Sequence, residues 1–401
     1  MKRNLYIQMA MVAAALITAG CSGDDDAVET APELRAISFT GGVNTEEVQT
    51  SRAEDEGLEK YSNQFIVYAY KNGNKELVMN GYAVNWIPIS AGSTSTNTHD
   101  WEYVGQGAHA DHPQVIKYWD EKADNYTFFG FVPARTTNPS EAKYYPTRVD
   151  LPTESYPNPQ IQFSLSYCAE FNGKYTALKG YEADGVTPIF AENLDKEDIP
   201  LVSRLTRITS TEDMNKPVRM EFVPPYARVK IAFERISTVD NTPISGITFK
   251  PNSGSVPSHA DLYCSCDLTQ GTLSVRLDNT VTGSVFEGGI PFDPLSKTDE
   301  ETGELVGKLD DANKIYYANP YFMLFPTPTA STPVDFTLSA WIGSGLQECV
   351  VPAAYMRWEM GYEYTYVFKI TKAGLNLINV IKVGIKSWES IGTEDTEFHN
   401  W

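Results

Sequence analysis

The sequence predicts an all-β protein made of two tandem β-sandwich domains. Three observations carry this: apolar and polar residues alternate in short runs, turn residues recur every 8–12 positions, and a 3.6-residue period is almost absent. Composition agrees. The 401 residues include 23 Tyr, 7 Trp, 28 Gly and 24 Pro, a mixture suited to strands and turns rather than helical bundles.

Residues 1–20 read as a secretory signal, with Lys2 and Arg3 before an apolar run from Met9 to Ala19. That run is shorter than the roughly 20 residues a membrane-spanning helix needs. Ala19-Gly20-Cys21, followed by Ser22-Gly23-Asp24-Asp25-Asp26, resembles the lipobox and export signal of bacterial surface lipoproteins, with Thr18 where many lipoboxes carry leucine. Cys21 is then the lipidated first residue of the mature chain, held to the outer membrane by acyl chains. Residues 21–33 are an acidic tether.

The first domain is expected over residues 34–215. A short strand at Leu34–Phe39, with Ile37 and Phe39 on one face, is expected to stop at Gly41-Gly42. Residues 43–59 are polar and hold Thr50-Ser51-Arg52-Ala53. Phe65–Tyr70 is a strand before Asn72-Gly73, a strong hairpin signal. Strands are also expected at Leu77–Met79, Tyr82–Ile87, Trp101–Tyr103, Val115–Trp119, Tyr126–Val132 and Ile161–Tyr167. Residues 134–158 read as irregular. Residues 174–198 lack a period, with one helical turn expected at Ala191–Leu194, and Leu201–Leu205 closes the domain.

Residues 209–217 look like a linker, and the second domain is expected over 216–390. Val218–Phe222 and the run from Arg228 alternate clearly. Shorter strands follow at Ile244–Phe249, Leu262–Cys266, Thr272–Leu277 and Ser284–Phe286, then a charged insertion at 290–313. Tyr316-Tyr317, Tyr321–Phe325, Phe336–Trp341 and Glu348–Val351 come next. The strongest β signal is the closing pair: Tyr362, Tyr364, Tyr366 and Phe368 share a face, and Leu377–Ile385 follows a turn. Residues 391–401 form a polar tail.

Removal of the signal leaves 381 residues, enough for two domains. The whole chain carries a formal charge of -20; losing Lys2 and Arg3 brings the mature chain near -22, which repels phosphate backbones and argues against nucleic acid as a partner. Apart from Cys21 the cysteines are Cys168, Cys264, Cys266 and Cys349. Their even number is compatible with two disulfides, but at this density buried free thiols are the better reading.

No nucleophile elbow, zinc-protease motif, P-loop or dinucleotide fingerprint is present, so no catalytic residue, metal or cofactor is assigned. His109, Asp111 and His112 read as a solvent-facing turn, and the many acidic pairs as solvated faces. Trp86, Trp101, Tyr103, Tyr118 and Trp119 could stack on sugars, but between two sheets they fill a core.

The mechanistic clue is the N-terminal strand, set apart from the body by a hydrophilic segment with a single inviting basic site, Arg52. A cut after Arg52 would remove that strand and bare a sheet edge, a template for a strand from another subunit.

The chain resembles the fimbrillin family of Bacteroidota, whose members include major and minor fimbrial subunits. The resemblance covers nearly all of residues 21–390. It rests on Cys21 and its acidic tail, Ile37-Ser38-Phe39, Thr50-Ser51-Arg52-Ala53, Phe65–Ala69, Trp101-Glu102-Tyr103, Tyr118-Trp119 and Tyr126–Pro133. In the second half it rests on Met220-Glu221-Phe222, Ala227–Ile231, Gly361–Tyr366 and Ile381–Trp388. Phe222-Val223-Pro224-Pro225 departs from the Phe-x-His that many relatives carry there. The resemblance implies transthyretin-like sandwich topology, export as a lipoprotein, cleavage by an arginine-specific protease with Arg52 as the processing residue and Ala53 as the new N-terminus, and donor-strand exchange with other fimbrial subunits. It implies a non-enzymatic, adhesive role in fimbriae, with a host protein or glycan as a candidate ligand; because only 13 residues follow Trp388, a tip or accessory subunit is expected over a stalk subunit. The alternative is a surface lipoprotein that never polymerises and binds host or dietary glycans.

Overall fold

Where apolar residues recur at every second position, the chain forms strands with one buried face. The computed structural model describes residues 35–43, 57–60, 62–73, 76–87, 100–105, 113–132, 148–153, 157–171, 174–181, 188–194, 200–235, 244–281, 286, 288–293, 308–310, 315–318, 321–371 and 374–384. Among them are twenty-five strands, short 3-10 turns and no α-helix.

The chain begins with β1 (Phe39–Val43), β2 (Gln64–Lys71), β3 (Glu76–Trp86), β4 (Trp101–Glu102), β5 (Tyr126–Val132), β6 (Arg148–Asp150) and β7 (Gln160–Ser166). Next come β8 (Cys168–Phe171), β9 (Lys174–Tyr181), β10 (Pro188–Leu194), β11 (Leu201–Ser203), β12 (Thr206–Ile208), β13 (Val218–Val223) and β14 (Ala227–Arg235). They are followed by β15 (Ile244–Pro251), β16 (His259–Asp267), β17 (Thr272–Val281), β18 (Ile290–Phe292), β19 (Lys308–Asp310) and β20 (Ile315–Tyr317). Last are β21 (Tyr321–Leu324), β22 (Phe336–Ile342), β23 (Gly345–Val351), β24 (Tyr362–Thr371) and β25 (Gly374–Gly384).

These strands form four sheets enclosing two main cores. One sheet runs β1-β13-β11-β5-β2-β3-β4, with β12 also on β5; another runs β17-β16-β7-β6. The first core lies between them, filled by Phe65, Val67, Phe128 and Phe222 from one and Phe163, Leu165, Leu262 and Cys264 from the other. The third sheet runs β10-β9-β8-β21-β14-β20-β19, with β24 and β25 added beside β14, and the fourth runs β18-β15-β22-β23. Between these two, Val229, Ile231, Phe233, Tyr364, Tyr366 and Phe368 meet Ile247, Phe249 and Leu338. The architecture is therefore all-β and built of sandwiched sheets. Each core draws on both sides of position 215: β13 and β16 line the first, and Tyr167 and Ala169 the second.

Local chemistry accounts for the clearest elements. Asn72 and Gly73 both take positive φ, 55° and 72°, where the chain leaves β2 for the four-residue connection to β3, a conformation these two residue types tolerate. Tyr362, Tyr364, Tyr366 and Phe368 are buried in β24 as expected, and β24 runs parallel to β14 across eight paired positions.

Several expectations are corrected. The first strand is shifted: Ala36 makes only an isolated bridge, and β1 starts at Phe39 and runs through Gly41-Gly42. Leu77–Met79 and Tyr82–Ile87 form one strand, β3, because Gly81 at φ 63° absorbs an irregularity without breaking it. Val115–Trp119 is no strand. Residues 174–198 contain β9 and β10, and Ala191–Leu194 is extended rather than helical, because pairing supplies what the sequence period lacks. Residues 209–217 connect β12 and β13 within one sheet, with a 3-10 turn at Asp213–Asn215. The irregular 134–158 stretch contains β6, and the charged insertion contributes β18 and β19.

Candidate functional site

Residues 35–43 occupy a slot in the first core, and each position in that slot has a physical cause. The inward-facing side chains alternate, as a strand dictates. Ile37 and Phe39 are both 0% exposed. Phe39 meets Phe65, Tyr103 and Phe128 edge-on, with ring centroids 5.8, 5.9 and 5.9 Å away. These are favourable aromatic geometries, each adding to the burial itself.

Both edges of the segment are engaged. On one side β1 pairs in parallel with β13, from Phe39 opposite Val218 to Val43 opposite Phe222, and Val218 N–H donates to Ser38 O at 2.8 Å. On the other side Ile37 N–H donates to Lys117 O at 2.8 Å and Trp119 N–H to Arg35 O at 2.9 Å. Further along, Gly42 bridges Gly57.

The 113–119 segment that seals the second edge is fixed by side chains rather than by a ladder. Gln114 Oε1 accepts from Ala83 N–H at 2.7 Å, while its Nε2 donates to Ala83 O at 3.0 Å and Tyr103 O at 2.6 Å. Tyr103 Oη donates to Ile37 O at 2.9 Å and accepts from Lys117 N–H at 3.1 Å, so one buried phenol ties the clamp to the strand it covers. The clamp's far end is held by Lys71, whose ammonium lies 2.8 Å from Asp120. Their hydrogen bond holds Lys71 above the ordinary lysine range and Asp120 below the ordinary carboxylate range.

The lipidation residue Cys21 and the processing residues Arg52 and Ala53 lie outside the described residues, as do His109, Asp111, His112 and the tail at 391–401. Of the aromatics considered for sugar stacking, Trp101, Tyr103 and Trp119 are buried in the first core and Trp86 packs against it. Tyr118 is exposed. Trp358, in the second core, donates from Nε1 to Tyr366 Oη at 2.9 Å. Sequence reasoning missed the Gln114 clamp, because a glutamine that substitutes for a strand neighbour leaves no periodic signal.

Cys168, Cys264, Cys266 and Cys349 are free thiols. His259, the histidine nearest Cys264 in sequence, faces the opposite side of β16, with its ring nitrogens 3.3 and 3.2 Å from Ser164 Oγ and Ser166 Oγ. Among the described residues no group of three His, Cys, Asp or Glu could hold a metal ion, and no helix is long and apolar enough to cross a membrane. Burial pushes the Cys168 and Cys264 thiols up to about 12. At pH 8 iodoacetamide is therefore expected to modify Cys349 alone of these four in the folded protein, and all four after denaturation. Intact mass before and after guanidinium checks this; four equally fast labels in the native state would contradict it.

The other concentrated charge is buried beside β14. Glu363 Oε2 lies 3.2 Å from Arg228 Nη1 and 2.9 Å from Lys230 Nζ. Burial alone would raise the Glu363 carboxyl, but Lys230 and Arg228 outweigh it and hold the group below its ordinary value. Its contribution is thus present above the unfolded carboxylate pKa and lost as pH falls through the lower folded value. Glu363→Gln removes the carboxylate charge that faces Arg228 and Lys230 and is expected to cost about 3–5 kcal/mol at neutral pH. The gap from wild type should narrow on acidification, as read by urea unfolding at pH 7 and pH 3.5.

No family model and no curated protein matches the chain. Several solved structures do. A candidate cell adhesion protein of Bacteroides eggerthii is 10% identical over 88% of this chain and 96% of its own, with a TM-score of 0.39. The fimbrial anchor protein Mfa2 of Porphyromonas gingivalis is 12% identical over 88% and 98%, with a TM-score of 0.32. A candidate polysaccharide-binding protein of Bacteroides thetaiotaomicron is 9% identical over 87% and 95%, with a TM-score of 0.32.

Proposed function

We propose that this protein is a structural subunit of cell-surface fimbriae, assembled by strand exchange after loss of its first strand. In this reading Cys21 carries the lipid anchor at the outer membrane, and an arginine-specific protease cuts between Arg52 and Ala53. The slot left by residues 35–43 is then filled by a strand of a neighbouring subunit. We place it at a tip or accessory position rather than in the stalk. The role is adhesive and involves no catalytic step.

The observation that carries this reading is the seating of β1. Residues 35–43 precede every other strand of the described chain, Ile37 and Phe39 are fully buried, and both edges of the segment are bonded. Burying Ile37 and Phe39 contributes about 1.5–3 kcal/mol each, so an emptied slot is a high-energy surface that favours any fitting strand. The segment joining β1 to the body contains Arg52, where a single cut frees the strand. The sequence resemblance to fimbrillins supports the same sequence of events.

Incubating the purified mature protein with an arginine-specific protease, together with the other fimbrial subunits sheared from the same cells, tests it. Multimers that persist in cold SDS, formed only after cleavage at Arg52, are the expected result. A protein cut completely at Arg52 that sheds residues 21–52 and stays monomeric would favour the non-polymerising, glycan-binding alternative.

A further inference from the structure

The three inward-facing positions of the resident strand are not equivalent. Positions 37 and 39 hold large side chains, whereas position 41 holds none. Gly41 has no positive φ, so its backbone would admit any residue. What excludes a side chain there is Leu58: a Cβ at position 41 would lie 2.9 Å from Leu58 Cδ2 and 3.1 Å from Leu58 Cβ. At position 42 the nearest atom to such a Cβ is the tip of Arg219, 4.0 Å away.

Leu58 is packed in place. It is 0% exposed in the first core, lies in the 3-10 turn Leu58–Lys60, and its carbonyl accepts from Ser62 N–H at 2.9 Å. The neighbouring Gly57 bridges Gly42. Leu58 also follows Arg52 in the chain, so it belongs to the acceptor and stays behind when the first strand leaves.

We propose that Leu58 sets the specificity of this slot, admitting only strands with glycine at the position now held by Gly41. The inference rests on the strand-exchange reading above. The slot then takes a strand running parallel to β13 with a large aliphatic residue, an aromatic residue and glycine at successive alternate positions. The fifth position is strict and the sixth is tolerant. Within this chain, Ile, Leu, Val or Met two residues before an aromatic that is itself two before glycine occurs once, at Ile37-Ser38-Phe39-Thr40-Gly41. No other segment of this chain repeats it, so the occupant is a strand from a different subunit.

The test uses the full mature chain, cut within residues 44–51 at a site built in for a sequence-specific protease, so that the outcome does not depend on Arg52. Fluorescent peptides spanning residues 34–43 are exchanged into the cut protein and followed by anisotropy. The unaltered peptide and a Gly42→Val peptide should enter within about 3-fold of each other, and a Gly41→Val peptide at least about 10-fold more weakly. In a Leu58→Ala protein that gap should shrink to about 3-fold. A Gly41→Val peptide binding the unaltered protein as tightly as the native one overturns the proposal, whatever the folding of the Leu58 variant. A gap unchanged by a folded Leu58→Ala protein also overturns it. If no peptide enters, including the native sequence, strand exchange itself falls and Leu58 selectivity falls with it.

Discussion

Phe39→Ala is expected to lower the unfolding free energy of the first core by about 3–5 kcal/mol, the range for deleting a fully buried Phe side chain. The upper part of the range applies because the site cannot collapse. Phe65, Tyr103 and Phe128, which meet the ring edge-on, belong to β2, the loop after β4, and β5, and Tyr103 is also pinned through its hydroxyl to Ile37 and Lys117. Urea unfolding followed by tryptophan fluorescence reads this directly, since Trp101 and Trp119 lie in the same core. Tyr118→Ala, at a side chain 43% exposed, should shift the same transition by under about 0.5 kcal/mol. Equal effects from the two substitutions would mean that residues 35–43 do not complete the core.

Arg52→Ala is expected to reduce multimer formation by at least about 100-fold. While the chain is intact, β1 competes for its own slot as a tethered ligand, at an effective concentration of order millimolar. A strand from a neighbour at micromolar concentration cannot displace it. Cutting after Arg52 removes that advantage, and the released strand is then diluted away. The substitution changes none of the side chains that form the described seat of residues 35–43, so the protein should keep wild-type stability while losing assembly. Arg52→Lys, cut by a lysine-specific protease, should recover it. Multimers from Arg52→Ala in wild-type amount would contradict the account.

The fold class and most long strands were legible because alternation, Asn72-Gly73 and the aromatic face of β24 are local signals. What was not legible depends on distant partners. Gly41-Gly42 reads as a strand terminator in isolation, yet the strand continues through it because both residues pair with distant β13. The irregular stretch at 174–198 gains its strands from the ladder of β8, β9 and β10. β16 pairs with β7 nearly a hundred residues earlier, a contact that no window of sequence contains. The candidate site was partly readable. Ile37 and Phe39 marked an inward face, but the 113–119 clamp was misread as a strand because Val115–Trp119 is apolar and extended. Its anchoring depends on Gln114 and Tyr103, whose roles only the folded chain reveals.

The most direct measurement is the N-terminal sequence and intact mass of the protein recovered separately from outer membranes and from sheared surface fibres. The account predicts lipidated Cys21 at the start of the membrane form and Ala53 at the start of the fibre form. Protein that begins only at Cys21, with none associated with fibres, would contradict it.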